Sequence, residues 1–375
     1  MYTLLEKFSS TFEGRDLEVV AYADDLAILV KADSRSRLET IGTRATDTLE
    51  EWCKLHKLRI STSKTQALLV KGKLDRGRCP RIKLGPEWVK FEKQTKYLGI
   101  IMDDQLNFIE HARHVRDKLS KFIITLRRVA NQEWGIKSRI LNVLYKAVFL
   151  PIATYGCAVW YDTPAQSLLK RQLDATQRTM ILLLTKACRT TSTNAMQVIS
   201  GFMPLDLEVT RRGILAKVRR NKPVQWKNYT FRGRENPADI NIKEENTRLQ
   251  GNLIEEWQAR WTQSTNGRAT FSFIGHVSFK RENPWFSPGR ECVYLMTGYG
   301  PINGTLFDRG AVDDPKCPAC DTRRETAEHQ IYECPNYEEF RNDSIRRNRN
   351  TPQNLIASEE DFSKVCSPKR GDPRQ

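Results

Sequence analysis

Residues 17–30 read LEVVAYADDLAILV. Apolar and β-branched residues run up to an Asp-Asp pair and then away from it. That pattern predicts two short strands meeting at a tight turn, because Asp accepts turn conformations that β-branched neighbours do not. Asp24 and Asp25 then stand side by side at the tip of a hairpin. Two readings are open for them. One is an acidic turn on a solvated surface. The other is a site for Mg²⁺, which prefers hard oxygen ligands and keeps several waters. A rigid hairpin suits two-metal nucleotidyl transfer, where metals about 4 Å apart serve both the attacking and the leaving oxygens.

Downstream of the hairpin, Ser36 and Glu39 have the spacing of a capping box. Leu38, Ile41, Ala45, Leu49 and Trp52 follow at helical spacing. Leu58 to Val70 returns to strand character, and Lys96 to Met102 reads as another short strand. From residue 111 the texture is helical. Val115, Leu119, Phe122, Ile123, Leu126 and Val129 form one apolar stripe, and Ile136, Ile140, Val143, Leu144 and Ala147 a second. Residues 111–150 hold nine Lys/Arg against Asp117 and Glu133. A basic helical pair of this kind can track a phosphate backbone, with Arg127 and Arg128 as candidate contacts, or can simply be solvated. Helix continues over 164–215. Residues 216–250 are polar and read as a linker. Trp257 and Trp261 are four apart, as in a helix, and short pieces rich in Gly, Pro and aromatics run from Phe271 to Tyr299.

Composition narrows the classes. In 375 residues, 39% are hydrophobic and 28% charged, which suits two or three folded domains and excludes a disordered chain. The net charge of +16 suits a polyanionic partner. The longest apolar stretch, Ala147 to Tyr161, contains Pro151 and falls short of the roughly 20 residues a spanning helix needs. The first residues, MYTLLEKFSSTFEGRD, lack the layout of a signal peptide. No membrane partner is expected. Of nine cysteines, Cys53, Cys157, Cys188 and Cys292 sit singly among apolar residues, as buried free thiols do. A reducing, intracellular setting is the expectation.

The remaining cysteines include a second candidate site. Cys317, Cys320, His329 and Cys334 supply four ligands within 18 residues. Zn²⁺ takes four such ligands tetrahedrally, and a filled shell marks a structural ion. Cys-Pro-Ala-Cys fits a knuckle, and Thr326 to Cys334 fits a short helix that Pro335 ends. Arg323 and Arg324, between the ligands, are candidate phosphate contacts. Tyr332 and Tyr337 can stack on bases or pack in a core.

Three segments in order resemble the reverse transcriptases of LINE-type (non-LTR) retrotransposons. AYADDLAILV resembles the active-site hairpin. LRISTSKTQALLV, after a helix ending Trp52-Cys53, resembles the next palm motif, with Lys64 at its lysine. KYLGIIMDDQLNFIEHA resembles the primer-grip segment. The tail from Leu295 to Arg341 resembles the Cys-Cys-His-Cys end of such polyproteins. The insect ribosomal-DNA type-1 and jockey-like clades are the nearest in kind.

The resemblance implies an α+β fold: the C-terminal half of a palm over 1–110, a helical thumb over 111–215, a mixed linker region over 216–310 and a small zinc-knuckle-like module over 311–375. It implies Mg²⁺ on Asp24 and Asp25, a catalytic role for Lys64 near the triphosphate, and a primer grip formed by Tyr97, Leu98 and Gly99. It also implies element RNA, target DNA and deoxynucleoside triphosphates as partners, the upstream remainder of the polyprotein, an associated endonuclease, and action in the nucleus. The chain departs from the pattern in several places. Only 23 residues precede Asp24, without the further palm aspartate or the Ser-x-x-Gln-Gly segment. Asp16 is on the same arm of the hairpin, and Ser61 stands where asparagine is expected. The expectation is that this polypeptide alone extends primers little or not at all. The competing reading is a zinc-containing nucleic-acid-binding protein without chemistry, or the nucleic-acid-binding part of the element's endonuclease.

Overall fold

The computed structural model describes residues 2–12, 16–70, 79–130, 136, 138–341, 351–360 and 362. The chain divides into two units, 1–111 and 112–375. The expected zinc module lies inside the second.

The first unit opens with α1 (Tyr2–Thr11), β1 (Leu17–Tyr22) and β2 (Asp25–Val30). The two strands pair antiparallel from Leu17↔Val30 to Tyr22↔Asp25. A two-residue turn, Ala23 and Asp24, joins them. Ala23 has φ +51°, a left-handed conformation that costs a residue with a Cβ roughly 1–2 kcal/mol. One face of the hairpin packs Leu17, Val19, Leu26 and Ile28 against a core of Leu4, Phe8, Ala45, Trp52 and Cys53. The other face leaves Val20, Tyr22 and Leu29 exposed.

α2 (Arg35–Leu55) supplies much of that core. Its N-cap is Ser34, whose hydroxyl accepts from the Arg37 amide at 3.3 Å. The capping box expected at Ser36 does not form. Ser36 lies inside the helix, and Glu39 instead accepts from the Arg81 amide at 2.7 Å and from Arg35 Nε at 2.9 Å. Only part of the expected strand over Leu58–Val70 exists, namely β3 (Gln66–Leu68). A 3₁₀ turn over Thr62–Lys64 precedes it, and Thr65 Oγ1 donates to Ser61 O at 2.9 Å. These local hydroxyl bonds compete with a strand ladder.

Four short strands follow: β4 (Lys83–Leu84), β5 (Glu87–Trp88), β6 (Lys90–Glu92) and β7 (Gln94–Tyr97). β4 and β5 form a hairpin whose turn starts at Gly85, with φ +59°. β3 and β6 pair in parallel. β7 pairs with β8 (Ile100–Asp103). The stretch Lys96–Met102, expected as one strand, is therefore a hairpin. Its turn residues Leu98 and Gly99 have φ +46° and +81°, as a type I′ connection requires. Leucine disguises such a turn, because it rarely adopts that conformation. The Asp103 carboxylate accepts the amides of Asn107 at 2.9 Å and Phe108 at 2.7 Å, and so leads the chain into α3 (Ile109–Val129).

The second unit is mainly helical. α3 buries Ala112, Val115, Leu119, Ile123 and Leu126. α4 (Ser138–Leu144) runs into a π turn over Tyr145–Phe149 and then α5 (Leu150–Ala153). Pro151 lacks the N–H that an α-helical bond to Ala147 would need, and the Leu150 amide bonds Tyr145 O instead. The buried face is Leu141, Tyr145, Phe149 and Ala153, while Ile140 and Val143 of the expected stripe are exposed. α6 (Cys157–Trp160), α7 (Gln166–Thr185), α8 (Thr193–Ser200) and α9 (Leu205–Arg219) follow.

Gln177 ties these helices together. Its amide nitrogen donates to Tyr145 Oη and Met203 O, each at 2.8 Å. Its oxygen accepts from Gln197 Nε2 at 2.8 Å and the Leu205 amide at 3.0 Å. Every polar atom of this buried amide is thereby satisfied.

Residues 216–250, expected as a linker, are built into the unit. β9 (Val224–Trp226) and β10 (Tyr229–Phe231) form a hairpin, and α10 (Ile242–Gln263) starts at the Asn241 cap. Tyr229 and Phe231 are buried, and Tyr229 Oη donates to Glu245 at 2.8 Å. Polar composition hid a short amphipathic hairpin. α10 buries Leu249, Leu253, Trp257 and Trp261. Four short helices complete the region: α11 (Arg268–Phe273), α12 (Phe279–Glu282), α13 (Arg290–Thr297) and α14 (Asn303–Phe307). Cys53 and Cys157 are free and buried, and Cys188 is free and half-buried. Cys292, expected as a free thiol, is buried but disulfide-bonded. No helix among the described residues is long and apolar enough to cross a membrane.

Candidate carboxylate hairpin and metal centre

In the first unit, Asp24 occupies the second turn position and Asp25 opens β2 opposite Tyr22. Both are exposed, so their carboxylates project from the end of a hairpin whose other face is anchored in the core. Two adjacent carboxylates suffice as part of a shell for a hard cation. Asp16 stands at the opposite, open end of the hairpin, where its backbone carbonyl accepts from the Lys31 amide and its side chain pairs with Arg37. Geometry thus excludes it from the carboxylate pair. Among the described residues, no third carboxylate completes a metal-ligating group with Asp24 and Asp25.

Lys64 closes the 3₁₀ turn and is exposed. Tyr97 ends β7, and Leu98 with Gly99 makes the turn into β8. β3, which follows the Lys64 turn, and the Tyr97 hairpin are joined by a bond from Thr95 Oγ1 to Gln66 Oε1 at 3.1 Å. In the second unit, Arg127 and Arg128 are exposed in the last turn of α3.

The second site also lies in the second unit. The Cys317 amide donates to Arg323 O and the Asp321 amide to Cys317 O, each at 2.8 Å. These bonds curl 317–324 into a knuckle, with Asp321 at φ +55°. A helical turn over His329–Glu333 follows, and the His329 amide is held by Thr326 Oγ1 at 3.0 Å. The turn brings His329 and Cys334 back onto the knuckle.

The ligand atoms of Cys317, Cys320, His329 and Cys334 all lie within 4.8 Å of one another. Cys317 Sγ is 3.9 Å from Cys334 Sγ, and Cys320 Sγ is 3.3 Å from His329 Nε2. Metal–sulfur bonds of about 2.3 Å give a tetrahedral edge of roughly 3.8 Å, so a single ion fits between the four. Burial pushes the Cys317 thiol up to about 11, partly offset by the Cys320 and Ala319 amides. Burial also acts on Cys320, but hydrogen bonds from Thr322, Arg323 and His329 outweigh it and hold that thiol at about 6. Cys320 is therefore prepared to present thiolate, whereas burial favours the thiol of Cys317.

Three residues that composition did not single out support the ligands. His329 Nδ1 is buried and lies 3.9 Å from Glu333 Oε2. At that distance the carboxylate faces the imidazole without a hydrogen bond, and its spacing four residues after His329 was a usable signal. Arg341 is buried and donates to Ile331 O at 3.0 Å and to Cys334 O. Glu325 is buried and accepts from Gln330 at 2.6 Å and from the Asn303 amide. Arg323 pairs with Glu333 at 3.1 Å. Arg324 donates to Gly304 O at 2.9 Å and Asp308 at 2.6 Å, which ties the knuckle to α14. Tyr332 and Tyr337 are half-buried.

Comparison with known proteins gives the family. The family described as reverse transcriptase (RNA-dependent DNA polymerase) matches residues 1–102. A Pol polyprotein from type-1 retrotransposable element R1 of Bradysia coprophila is 37% identical over 86% of the chain and 32% of its own length. A 115 kDa protein in type-1 retrotransposable element R1DM of Drosophila melanogaster is 33% identical over 86% of the chain and 31% of its own length. The chain thus spans about a third of these two relatives. A Nasonia vitripennis R1 Pol polyprotein is 32% identical over 87% of the chain and 95% of its own length. No solved structure matches. With a relative of that identity matched almost end to end, the chain belongs to the Pol polyproteins of the R1 type of non-LTR retrotransposable element.

Proposed function

We propose that the chain is the palm end, thumb, connecting region and metal-binding tail of an RNA-directed DNA polymerase that copies element RNA at a nicked target DNA. The observation that carries this reading is the adjacent Asp24 and Asp25 at the tip of a core-anchored hairpin, inside the segment that matches reverse transcriptases. In this reading residues 1–110 are the second half of the palm and 111–215 the thumb. Residues 216–310 connect them to the tail.

Asp24 and Asp25 hold Mg²⁺. That cation activates the primer 3′ hydroxyl and neutralises the triphosphate when bound. Lys64, on its exposed turn, acts at the leaving pyrophosphate in this reading, as charge stabiliser or proton donor. The Tyr97–Gly99 turn supports the primer terminus. Arg127 and Arg128 project from α3 without ion pairs among the described residues, and so are available to phosphates. The ion at Cys317, Cys320, His329 and Cys334 is Zn²⁺, which suits three thiolates and an imidazole and acts structurally. Of the two arginines in the tail, Arg323 is the better phosphate contact: it is more exposed and its guanidinium holds only Glu333 among the described residues, whereas Arg324 holds both Gly304 O and Asp308.

The test is primer extension on an RNA template with Mg²⁺ and deoxynucleotides. The purified chain alone should extend primers at background level. Fused behind a relative's polymerase segment carrying the further aspartate, it should extend them, and Asp24→Asn should reduce the rate by more than about a hundredfold. Robust extension by the chain alone would show that the carboxylate site needs nothing more. An active fusion indifferent to Asp24→Asn would overturn the catalytic reading and leave a binding protein.

A further inference from the structure

The β4–β5 hairpin has one face that nothing above employs. Lys83 is paired directly opposite Trp88, so their side chains stand together on that face. The Val89 amide donates to Ile82 O at 2.9 Å, extending the ladder. One step further, Arg81 and Lys90 are also exposed. The opposite face anchors the hairpin. Leu84 is buried there, Ile82 fits against Gly42 of α2, and Thr46 Oγ1 donates to Lys83 O at 2.6 Å. The result is a fixed platform carrying an indole among three cations.

Trp88 is 61% exposed, whereas Trp52, Trp160, Trp257 and Trp261 are buried. A large aromatic left in water on a rigid, well-packed element marks a contact surface. Among the described residues Arg81 and Lys83 form no ion pair, and Lys90 pairs with Glu92. An apolar protein partner would strand these cations in a dry interface. A partner with a flat π face and flanking negative charge meets both halves of the platform.

We propose that this face binds single-stranded nucleic acid, with an unpaired base stacked on Trp88 and the neighbouring phosphates held by Lys83, Arg81 and Lys90. An unpaired strand is required because bases inside a duplex already use both faces on their neighbours. The inference deepens the polymerase reading, and rests on it only in that the chain handles nucleic acid.

Fluorescence anisotropy tests it with the full chain, using a labelled oligothymidylate of about 20 nucleotides and a duplex of equal length. Trp88→Ala should weaken single-strand binding by about ten- to a hundredfold while changing duplex binding less than about twofold. Trp88→Phe should recover most of the loss, since a phenyl ring also stacks. Lys83→Gln should lower the salt slope for the single strand by about 0.7, the value for one phosphate. Unchanged single-strand affinity in Trp88→Ala, or equal losses on both probes, would overturn the assignment. If wild type binds neither probe, the nucleic-acid reading fails as well, an outcome distinct from a silent Trp88→Ala. If Trp88→Ala instead abolishes a self-associated species in sedimentation with nucleic-acid binding intact, the face is a protein contact and the proposal is wrong.

Discussion

At the residue scale, single side chains decide how the sites are held. Glu208 is nearly buried and accepts from Arg211 at 2.7 Å and from Arg212 at 2.7 Å. Burial pushes its carboxyl up, but the two guanidiniums outweigh that and hold it below the ordinary 4.5. A carboxyl depressed on folding stabilises fully above its unfolded value, and that contribution is lost as pH falls through the folded value. At neutral pH Glu208→Gln should therefore cost about 3 kcal/mol, because it leaves two partly buried cations without a counter-charge. The gap between wild type and variant should narrow as pH drops below the ordinary 4.5 and through the lower value of the folded state, where Glu208 becomes neutral. Denaturant melts at the two pH values decide this, and a constant gap would show that packing, not charge, is what Glu208 supplies. The candidate site residues were largely legible as residues. Asp24, Asp25 and the four Cys/His ligands are unusual types at telling spacings. Arg341 and Gln177 were not, because each is an ordinary polar residue whose importance comes from what packs around it.

At the scale of elements, periodicity found the helices and mistook their details. Ser36 and Glu39 have the right spacing for a capping box, yet Ser34 is the cap and Glu39 faces Arg81. Ser34→Ala should lower the protection of the first α2 amides by about 1 kcal/mol, and Ser36→Ala by less than about 0.5 kcal/mol, in native-state hydrogen exchange. The reverse order would restore the box. The π turn before Pro151 shifts the buried face of its helix to Leu141, Tyr145 and Phe149. A regular 3.6-residue count cannot anticipate that shift. The turn at Leu98-Gly99 was missed for a related reason: a leucine at positive φ is paid for by the strands on either side.

At the scale of the molecule, a metal at the Cys/His site affects the second unit first. In the proposed reading, zinc binding there is coupled to folding, because the four ligands come from both the knuckle and the His329 turn. Chelation should expose 315–341 to protease while the β1–β2 hairpin of the first unit stays protected. Unchanged protease resistance of the tail in chelator would remove zinc from the account. The sequence by itself determined the carboxylate hairpin, the four-ligand spacing, the basic charge and the order of motifs that places the chain in its family. Those are local or compositional properties, set by residue type and separation along the chain. Tertiary structure alone decided that 216–250 folds into the second unit, that Gln177 joins four segments, that Arg324 is spent inside the tail, and that Trp88 remains in water. Each of these depends on which distant surfaces meet, and burial is a property of the assembled packing, not of any one stretch of chain.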